Sequence, residues 1–182
     1  MDKMKKVVLS ILSGSIIACS CMRTNSSKND DVIISNEINM EHTYLNFEST
    51  KKEGNAHSGK YYSQVDVAHQ FAVGYEYVVP DSLKNKTLTV YVSGWVREQA
   101  APVEGEIVVA LTTSKGTVEW NGFKHKSISY NLNTWVLIKD SITYTPNMMK
   151  DSFVKIGVVG QKTSGADALD IDDLVINYKF SN

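Results

Sequence analysis

The chain has 182 residues, a formal net charge of −1 at pH 7 and 42% hydrophobic residues, which fits one domain with an ordinary core. This charge balance does not favour nucleic acid as a partner, and no run of Lys or Arg with interleaved aromatic residues is present. Both cysteines, Cys19 and Cys21, lie near the start, so the remaining chain offers no thiol for a disulfide or a cysteine nucleophile.

The N-terminal segment has the composition of a targeting signal. A basic stretch, Asp2–Lys6, precedes an apolar stretch, Val7–Ile17, that is too short to span a bilayer. Ala18 and Cys19 then resemble the lipobox of bacterial lipoproteins, whose cysteine is diacylated and becomes the mature N-terminus. The resemblance implies a signal peptide over residues 1–18, lipidation of Cys19 and a membrane-anchored protein of the bacterial cell envelope. An ordinary secretory signal and an anchor at Cys21 are the alternatives.

The next segment, residues 19–41, is rich in Asn, Ser, Asp and Lys, with only one short apolar run, Val32–Ile34. This composition predicts a flexible tether. Residues 42–182 are then expected to form a single domain.

From Tyr44 onward, β-branched and aromatic residues alternate with polar ones in short runs separated by turn residues. The pattern predicts about nine strands, near Tyr44–Glu48, Tyr61–Val67, Gln70–Val79, Thr87–Glu98, Glu106–Thr113, Ser127–Asn131, Trp135–Tyr144, Phe153–Val159 and Leu169–Lys179. No span has a helical period. The sequence therefore predicts an all-β sandwich or jelly roll.

Four segments occur in an order that is typical of a known family: Asn46–Glu48, Ala56–Ser63, Val92–Arg97 and Asp170–Ile176. Their order and spacing resemble galactose-binding-like jelly-roll carbohydrate-binding modules, here in a Bacteroides-type lipoprotein. The resemblance extends over nearly the whole of the expected domain. It implies a galactose-binding-like jelly-roll β-sandwich that binds a polysaccharide or oligosaccharide without catalysis.

The resemblance also implies a structural calcium ion, because such an ion often joins the first and last strands in this family. Glu48 and Asp172 occupy the matching positions, and carbonyl groups around Ser58 and Lys60 would complete the site. Carboxylate and carbonyl oxygens are the ligands that Ca²⁺ prefers.

The alternation of the last predicted strand bears on the same carboxylate. A period of two places Asp172 with Leu174, Ile176 and Tyr178, hence toward the core, where a bare charge is costly. Asp173 is expected at the surface. In the alternative to calcium, Asp172 caps nearby backbone amides and the carboxylate of Glu48 faces water.

One predicted strand, Thr87–Glu98, concentrates sugar-binding groups on its outer side. Val and Gly occupy the core side, whereas Tyr91, Trp95, Arg97 and the following Gln99 share the other face. Aromatic rings stack on pyranose rings, and guanidinium and amide groups bond to hydroxyls. The alternative is that a loop covers these rings. Trp120, beside the turn signal Asn121–Gly122, is expected to project from a loop at the margin of this face.

Catalytic motifs are scarce. His42, His57, His69 and His125 are scattered and lack the spacing of a zinc site. Three carboxylates, Glu98, Glu104 and Glu106, keep a glycosidase formally open, because that chemistry needs only a carboxylate pair. The expected function is non-catalytic glycan binding at the envelope, together with envelope protein partners. A small jelly-roll glycoside hydrolase or lyase, and a structural or adhesive lipoprotein that contacts protein, are the alternatives.

Overall fold

The computed structural model describes residues 31–41, 50–99, 104–124, 132–164 and 168–182. These residues form ten strands: β1 Val32–Ile38, β2 Lys51–Glu53, β3 Tyr61–Val65, β4 Phe71–Val78, β5 Thr87–Glu98, β6 Glu104–Thr113, β7 Gly116–Lys124, β8 Val136–Tyr144, β9 Val154–Ser164 and β10 Leu169–Ser181. Two 3₁₀ turns, Asp81–Leu83 and Pro146–Met149, interrupt them, and the described residues contain no α-helix. The predicted all-β class is confirmed.

The strands form two sheets. The large sheet has the order β2-β3-β10-β5-β8, with β1 also paired to β10, and the small sheet has the order β4-β9-β6-β7. All the recorded strand pairs are antiparallel. The chain therefore builds a two-layer β-sandwich, which is the predicted architecture.

The core lies between the inner faces of the sheets. It is made of alternating residues such as Val90 and Val92 of β5 and Ile107, Val109 and Leu111 of β6, all nearly inaccessible to solvent. A smaller cluster near one end contains five buried residues: Val65, Ala72, Val96, Leu169 and Ile171. The period of two that predicted β5 thus also predicts its buried face, because β5 pairs with β8 without interruption from Leu88 to Val96.

The predicted tether does not extend to residue 41. Val32–Ile38 forms β1 and pairs with the second half of β10, from Leu174 to Phe180. Ile38 and Met40 are buried in the core. The short apolar run that looked isolated in the sequence is paired with a distant strand, so a local composition argument could not identify it.

Trp120 lies within a strand, contrary to the predicted loop. Asn121 and Gly122 also belong to β7, and the turn of this hairpin is at Ser114–Lys115 instead. The Asn-Gly pair is a turn signal only where the backbone turns, and here both residues continue the strand.

The predicted face of Asp172 is wrong. Asp172 was expected on the same side of the sheet as Leu174, but the two side chains lie on opposite sides. Trp95 pairs with Asp172 and Ser93 with Val175, so the single residue Gly94 of β5 opposes two residues of β10, Asp173 and Leu174, which form a bulge. Asp173, within this bulge, has a left-handed backbone with φ of 46°. The bulge inverts the alternation, and Asp172 lies on the outer side of the large sheet.

Several predictions fall on residues outside the described ranges. These are the signal peptide, Cys19, Glu48 and the two predicted strands Tyr44–Glu48 and Ser127–Asn131. Among the residues that the structure does describe, no helix has the length and apolar character needed to cross a membrane.

Candidate functional site

The structure separates the five residues that were expected to bind glycan. Tyr91, Trp95 and Arg97 lie on the outer face of the large sheet, and Gln99 follows the end of β5 beside them. Trp120 belongs to the small sheet. It therefore cannot form a margin of the same face.

Arg97 is committed to a buried network. Its Nε and Nη2 atoms donate to Oδ2 of Asp170 at 2.9 and 2.8 Å, and its Nη1 atom donates to the carbonyl of Asn55. Gln99 and Gln64 donate to the same carboxylate of Asp170. Arg97 is only 5% exposed and Asp170 is inaccessible, so the expected sugar-binding guanidinium functions as a structural ion pair in this fold.

Aromatic rings close over this network. The Arg97 guanidinium lies 4.5 Å from the centroid of the Trp135 ring and 5.1 Å from that of Tyr62. The imidazole of His57 stacks on Trp95 with centroids 3.8 Å apart. One face of Trp95 is thus covered by the segment between β2 and β3, which is the alternative that the sequence left open. Tyr91 remains 46% exposed.

The same segment contacts the Asp172–Asp173 bulge. Oδ2 of Asp172 accepts hydrogen bonds from the backbone N–H groups of His57 and Ser58 at 2.9 and 3.1 Å, and Oδ1 accepts one from the N–H of Asp173. Burial raises the pKa of the Asp172 carboxyl, and these N–H groups oppose that rise. Asp173 is half-buried, and its carboxylate contacts His57 Nδ1 and Ser58 Oγ, both at 2.7 Å.

These contacts bear on the calcium ion that was expected at Asp172. Three N–H groups occupy its carboxylate, and the Lys60 carbonyl, a predicted ligand, accepts the N–H of Gly54. The contacts favour amide capping, the alternative stated from the sequence. Because Glu48 lies outside the described residues, the calcium site stays a prediction.

The described part of the chain contains no group of three or more His, Cys, Asp or Glu residues that could hold a metal ion.

The outer face of the small sheet carries the most exposed pair of aromatic rings in contact. Phe71 of β4 is 44% exposed and Trp120 of β7 is 48% exposed, and their centroids lie 6.5 Å apart in an edge-to-face arrangement. The two strands are at opposite edges of this four-stranded sheet, about 14 Å apart if the sheet were flat. Ring contact across that span means that the face is concave.

Small residues form the floor of this concavity. Val108 and Ala110 of β6 lie on this face and are buried, although neither belongs to the core cluster between the sheets. Gly157 of β9 pairs with Ala110, and an added Cβ at Gly157 would meet no atom within 4 Å. Open space therefore stands above the floor beside Trp120. We call this feature, with Phe71 and Trp120 as its rings, the ring groove.

Polar groups line both ends of the ring groove. Glu106 lies at one end and is 8% exposed, and its carboxylate lies over Gly122, where any Cβ atom would overlap it. Gln161 pairs with Glu106 and Phe71, and its buried Oε1 has no hydrogen-bond partner within the described chain. At the other end, Lys155 and Glu76 form an ion pair at 2.6 Å.

Sequence reasoning identified Trp120 as a candidate but missed Phe71, Gln161 and the role of Glu106 as a groove residue. The sequence did contain a signal for Glu106. The period of two in β6 places Glu106 outward with Val108 and Ala110, and the small residues Gly122 and Gly157 lie on the same face of the neighbouring strands. No local signal pointed to Phe71, because its ring meets Trp120 only through the curvature of the sheet.

Comparison with known proteins supports the fold. No family model matches the chain, and the search of curated proteins gave no match. Among solved structures, the chain is similar to the CBM22-1–CBM22-2 tandem domain of Xyn10C from Paenibacillus barcinonensis, with 16% identity and a TM-score of 0.50. That match covers 85% of this chain and 47% of the tandem, so the chain spans about half of its length.

Two further matches are more distant. The CBM22-1 xylan-binding domain of the same Xyn10C has 15% identity and a TM-score of 0.48, over 77% of this chain and 90% of that domain. The VP2 subviral particle of infectious bursal disease virus has 10% identity and a TM-score of 0.48, over 93% and 37% of the two chains. These likenesses concern the fold alone. The two antiparallel sheets, together with the likeness to the CBM22 tandem, confirm the predicted jelly-roll sandwich.

Proposed function

We propose that this protein is a non-catalytic glycan-binding protein of a bacterial envelope, anchored by lipid at Cys19, and that it binds a polysaccharide or oligosaccharide in the ring groove. One observation carries the proposal: two exposed aromatic rings meet over an open floor of small residues, with polar side chains at both ends.

The geometry of the ring groove suits a sugar. An aromatic ring presents a rigid apolar surface that matches the C–H face of a pyranose and loses little side-chain entropy on binding. Glu106 and Gln161 provide acceptors for hydroxyl groups at the end near Phe71. Isolated exposed apolar side chains are common on any protein, but two in ring contact over an open floor mark an interaction site.

The structural neighbours support the proposal at the level of the fold, since carbohydrate-binding modules are among them. The outer face of the large sheet is the less favoured location. There the guanidinium of Arg97 is fully engaged and Trp95 is covered on one side. Tyr91, Trp95, Arg97 and Gln99 remain a predicted site that binding measurements will test.

A glycan array with the purified full-length chain would identify a ligand, and titration calorimetry would then measure its Kd. Trp120→Ala is expected to weaken binding about tenfold or more, as the loss of a central aromatic contact does. Gly157→Phe should block the open space and abolish binding without lowering the melting temperature. Tyr91→Ala is the matched control, because it removes an equally exposed aromatic ring from the other sheet.

The outcome separates the two faces. Normal binding by Trp120→Ala and Gly157→Phe, with weakened binding by Tyr91→Ala, would move the site to the large sheet. Absence of any array signal would contradict glycan binding. Release of reducing ends by the wild-type chain, lost in Glu106→Gln, would instead support the glycosidase.

The anchor rests on the sequence of the N-terminal segment. Metabolic labelling with a fatty-acid probe should mark the wild-type chain, and Cys19→Ser should lose the label and leave the membrane fraction. Full labelling of Cys19→Ser with loss in Cys21→Ser would shift the anchor to Cys21.

A further inference from the structure

Glu106 is the one buried carboxylate among the described side chains that face the ring groove. Strand β6 turns it to the same face as Val108 and Ala110, and its side chain lies across Gly122 of β7. A Cβ atom added at Gly122 would overlap both carboxylate oxygens, so any larger residue at this position would displace the carboxylate. The absence of a side chain at Gly122 therefore leaves room for the carboxylate over the sheet, next to the position of Trp120.

The described contacts of the two carboxylates at the ends of the ring groove differ. No contact with a cation or hydrogen-bond donor is recorded for the Glu106 side chain within the described chain, whereas Glu76 at the opposite end is paired with Lys155. Gln161, the neighbour of Glu106 on β9, contributes a buried oxygen that also lacks a donor. Lys124 occupies the register position opposite Glu106.

A carboxylate with little access to water affects ligands of different charge in opposite ways. Sugar hydroxyls can donate to it, and hydrogen bonds to an ionised acceptor are roughly twice as strong as neutral ones. A uronate or sulfate group would bring a second negative charge into a region of reduced dielectric, where like charges repel strongly. The Gln161 oxygen has the same preference for a donor.

We infer that the ring groove selects neutral glycans over acidic ones, and that Glu106, positioned by Gly122, is the residue that determines this specificity. The inference rests on the proposed function. The proposed ligand is an uncharged oligosaccharide. One of its sugar rings packs against Trp120, and its hydroxyl groups donate hydrogen bonds to Glu106 and Gln161.

The test compares neutral and acidic polysaccharides in affinity electrophoresis with the full-length chain. Xylan and glucomannan are the neutral probes, and polygalacturonate and a chondroitin sulfate are the acidic ones. The wild type is expected to be retarded by at least one neutral probe and by neither acidic probe. In Glu106→Gln, the neutral Kd should rise about tenfold, and the ratio of acidic to neutral Kd should fall by a similar factor.

Two further variants control the experiment. Gly122→Ala should reproduce the effect of Glu106→Gln by displacing the carboxylate, and circular dichroism would verify that both variants are folded. Glu53→Gln removes an equal charge from β2, on the large sheet, and should leave the retardation unchanged.

The experiment distinguishes failure of the proposed function from failure of the inference about selectivity. If no polysaccharide retards the chain, the proposed function is contradicted. If acidic probes bind as well as neutral ones and Lys124→Gln abolishes that binding, the chain binds glycans but the inference is wrong. Unchanged selectivity in folded Glu106→Gln would also overturn it.

Discussion

At the scale of the residue, Arg97 and Trp120 show how the same argument from side-chain type led to different outcomes. Both have chemistry that suits sugars. Each of the three guanidinium nitrogens of Arg97 donates a hydrogen bond inside the protein. Trp120 is half-exposed, and among the described rings it contacts only Phe71. What a side chain offers to a ligand depends on what the fold has already used.

Arg97→Met should therefore destabilise the fold rather than weaken glycan binding. Removal of one partner leaves the Asp170 carboxylate buried and uncompensated, which typically costs about 3–5 kcal/mol. Urea denaturation would measure the change in the free energy of unfolding, and calorimetry should show an unchanged Kd for the glycan. The double variant Arg97→Met/Asp170→Leu should recover part of the loss, because it removes the orphaned charge.

The opposite result is equally clear. A variant Arg97→Met with normal stability and lost glycan binding would return the binding site to the outer face of the large sheet.

The sequence thus predicted which side chains have the chemistry to bind sugars, but not which of them the fold would cover or use in its own contacts. It identified Trp120 and the alternation of β5. It could not reveal that His57 covers Trp95, because the two residues are 38 positions apart and meet only when Asp172 and Asp173 bind the segment that carries His57.

At the scale of the element, β1 shows that the folded domain begins earlier in the chain than the sequence predicted. A tether should tolerate substitution, whereas a strand with a buried face should not. Ile38 is 2% exposed, while Ile33 of the same strand faces solvent.

Ile38→Ala is accordingly expected to lower the free energy of unfolding by about 2–4 kcal/mol, as for other buried Ile-to-Ala changes. Ile33→Ala is the matched control and should change it by no more than about 0.5 kcal/mol. Denaturation in urea would measure both. Equal and negligible effects would favour the tether.

Asp151 joins two elements through hydrogen bonds that should make the stability of the protein depend on pH. It accepts hydrogen bonds from the N–H of Phe153 and from the N–H and hydroxyl of Ser114, and so joins the start of β9 to the β6–β7 turn. These bonds, the Phe153 N–H first, lower the pKa of the Asp151 carboxyl to about 2.

Because the folded pKa is depressed, the stabilisation is complete above the ordinary carboxyl range and is lost as the pH falls toward 2. Asp151→Asn should therefore be less stable than the wild type near pH 6, and the difference should shrink between about pH 4 and pH 2. Thermal melts across this range would measure it. A difference that does not vary with pH would show that the carboxylate charge contributes nothing.

Strand prediction succeeded where alternation is uninterrupted and failed where a distant partner decides. The predicted bounds of β5 agree with the structure, Thr87–Glu98. In β10 the bulge at Asp173 inverted the predicted face of Asp172. In β7, glycine and asparagine suggested a turn, but both residues continue the strand, and the Glu106 carboxylate lies where a Cβ atom of Gly122 would be.

At the scale of the whole molecule, the segment between β2 and β3 is fixed by carboxylates. Glu41 Oε1 accepts the N–H groups of Lys60 and Tyr61, which lower the pKa of the Glu41 carboxyl. Asp172 accepts those of His57 and Ser58. These amide contacts favour the capping alternative to calcium that the sequence left open.

We therefore expect thermal melting curves in excess calcium and in chelator to superimpose. A folded-state site would instead raise the stability by about 2.7 kcal/mol at a hundredfold excess of ion over Kd. Elemental analysis of the purified chain provides an independent check. A higher melting temperature in calcium, abolished in Asp172→Asn, would establish the metal site.

The position of β1 also has a mechanical consequence. Val32 lies opposite Phe180 and Ile38 opposite Leu174, so the chain enters the sandwich at the end where β10 finishes, far from Phe71, Glu106 and Gln161. With the lipid at Cys19, residues 20–31 would span at most about 40 Å. A bound polysaccharide that is pulled from the cell would load the protein along its strands. The β1–β10 hydrogen bonds would then be loaded in shear, so that they bear the force together instead of breaking one after another.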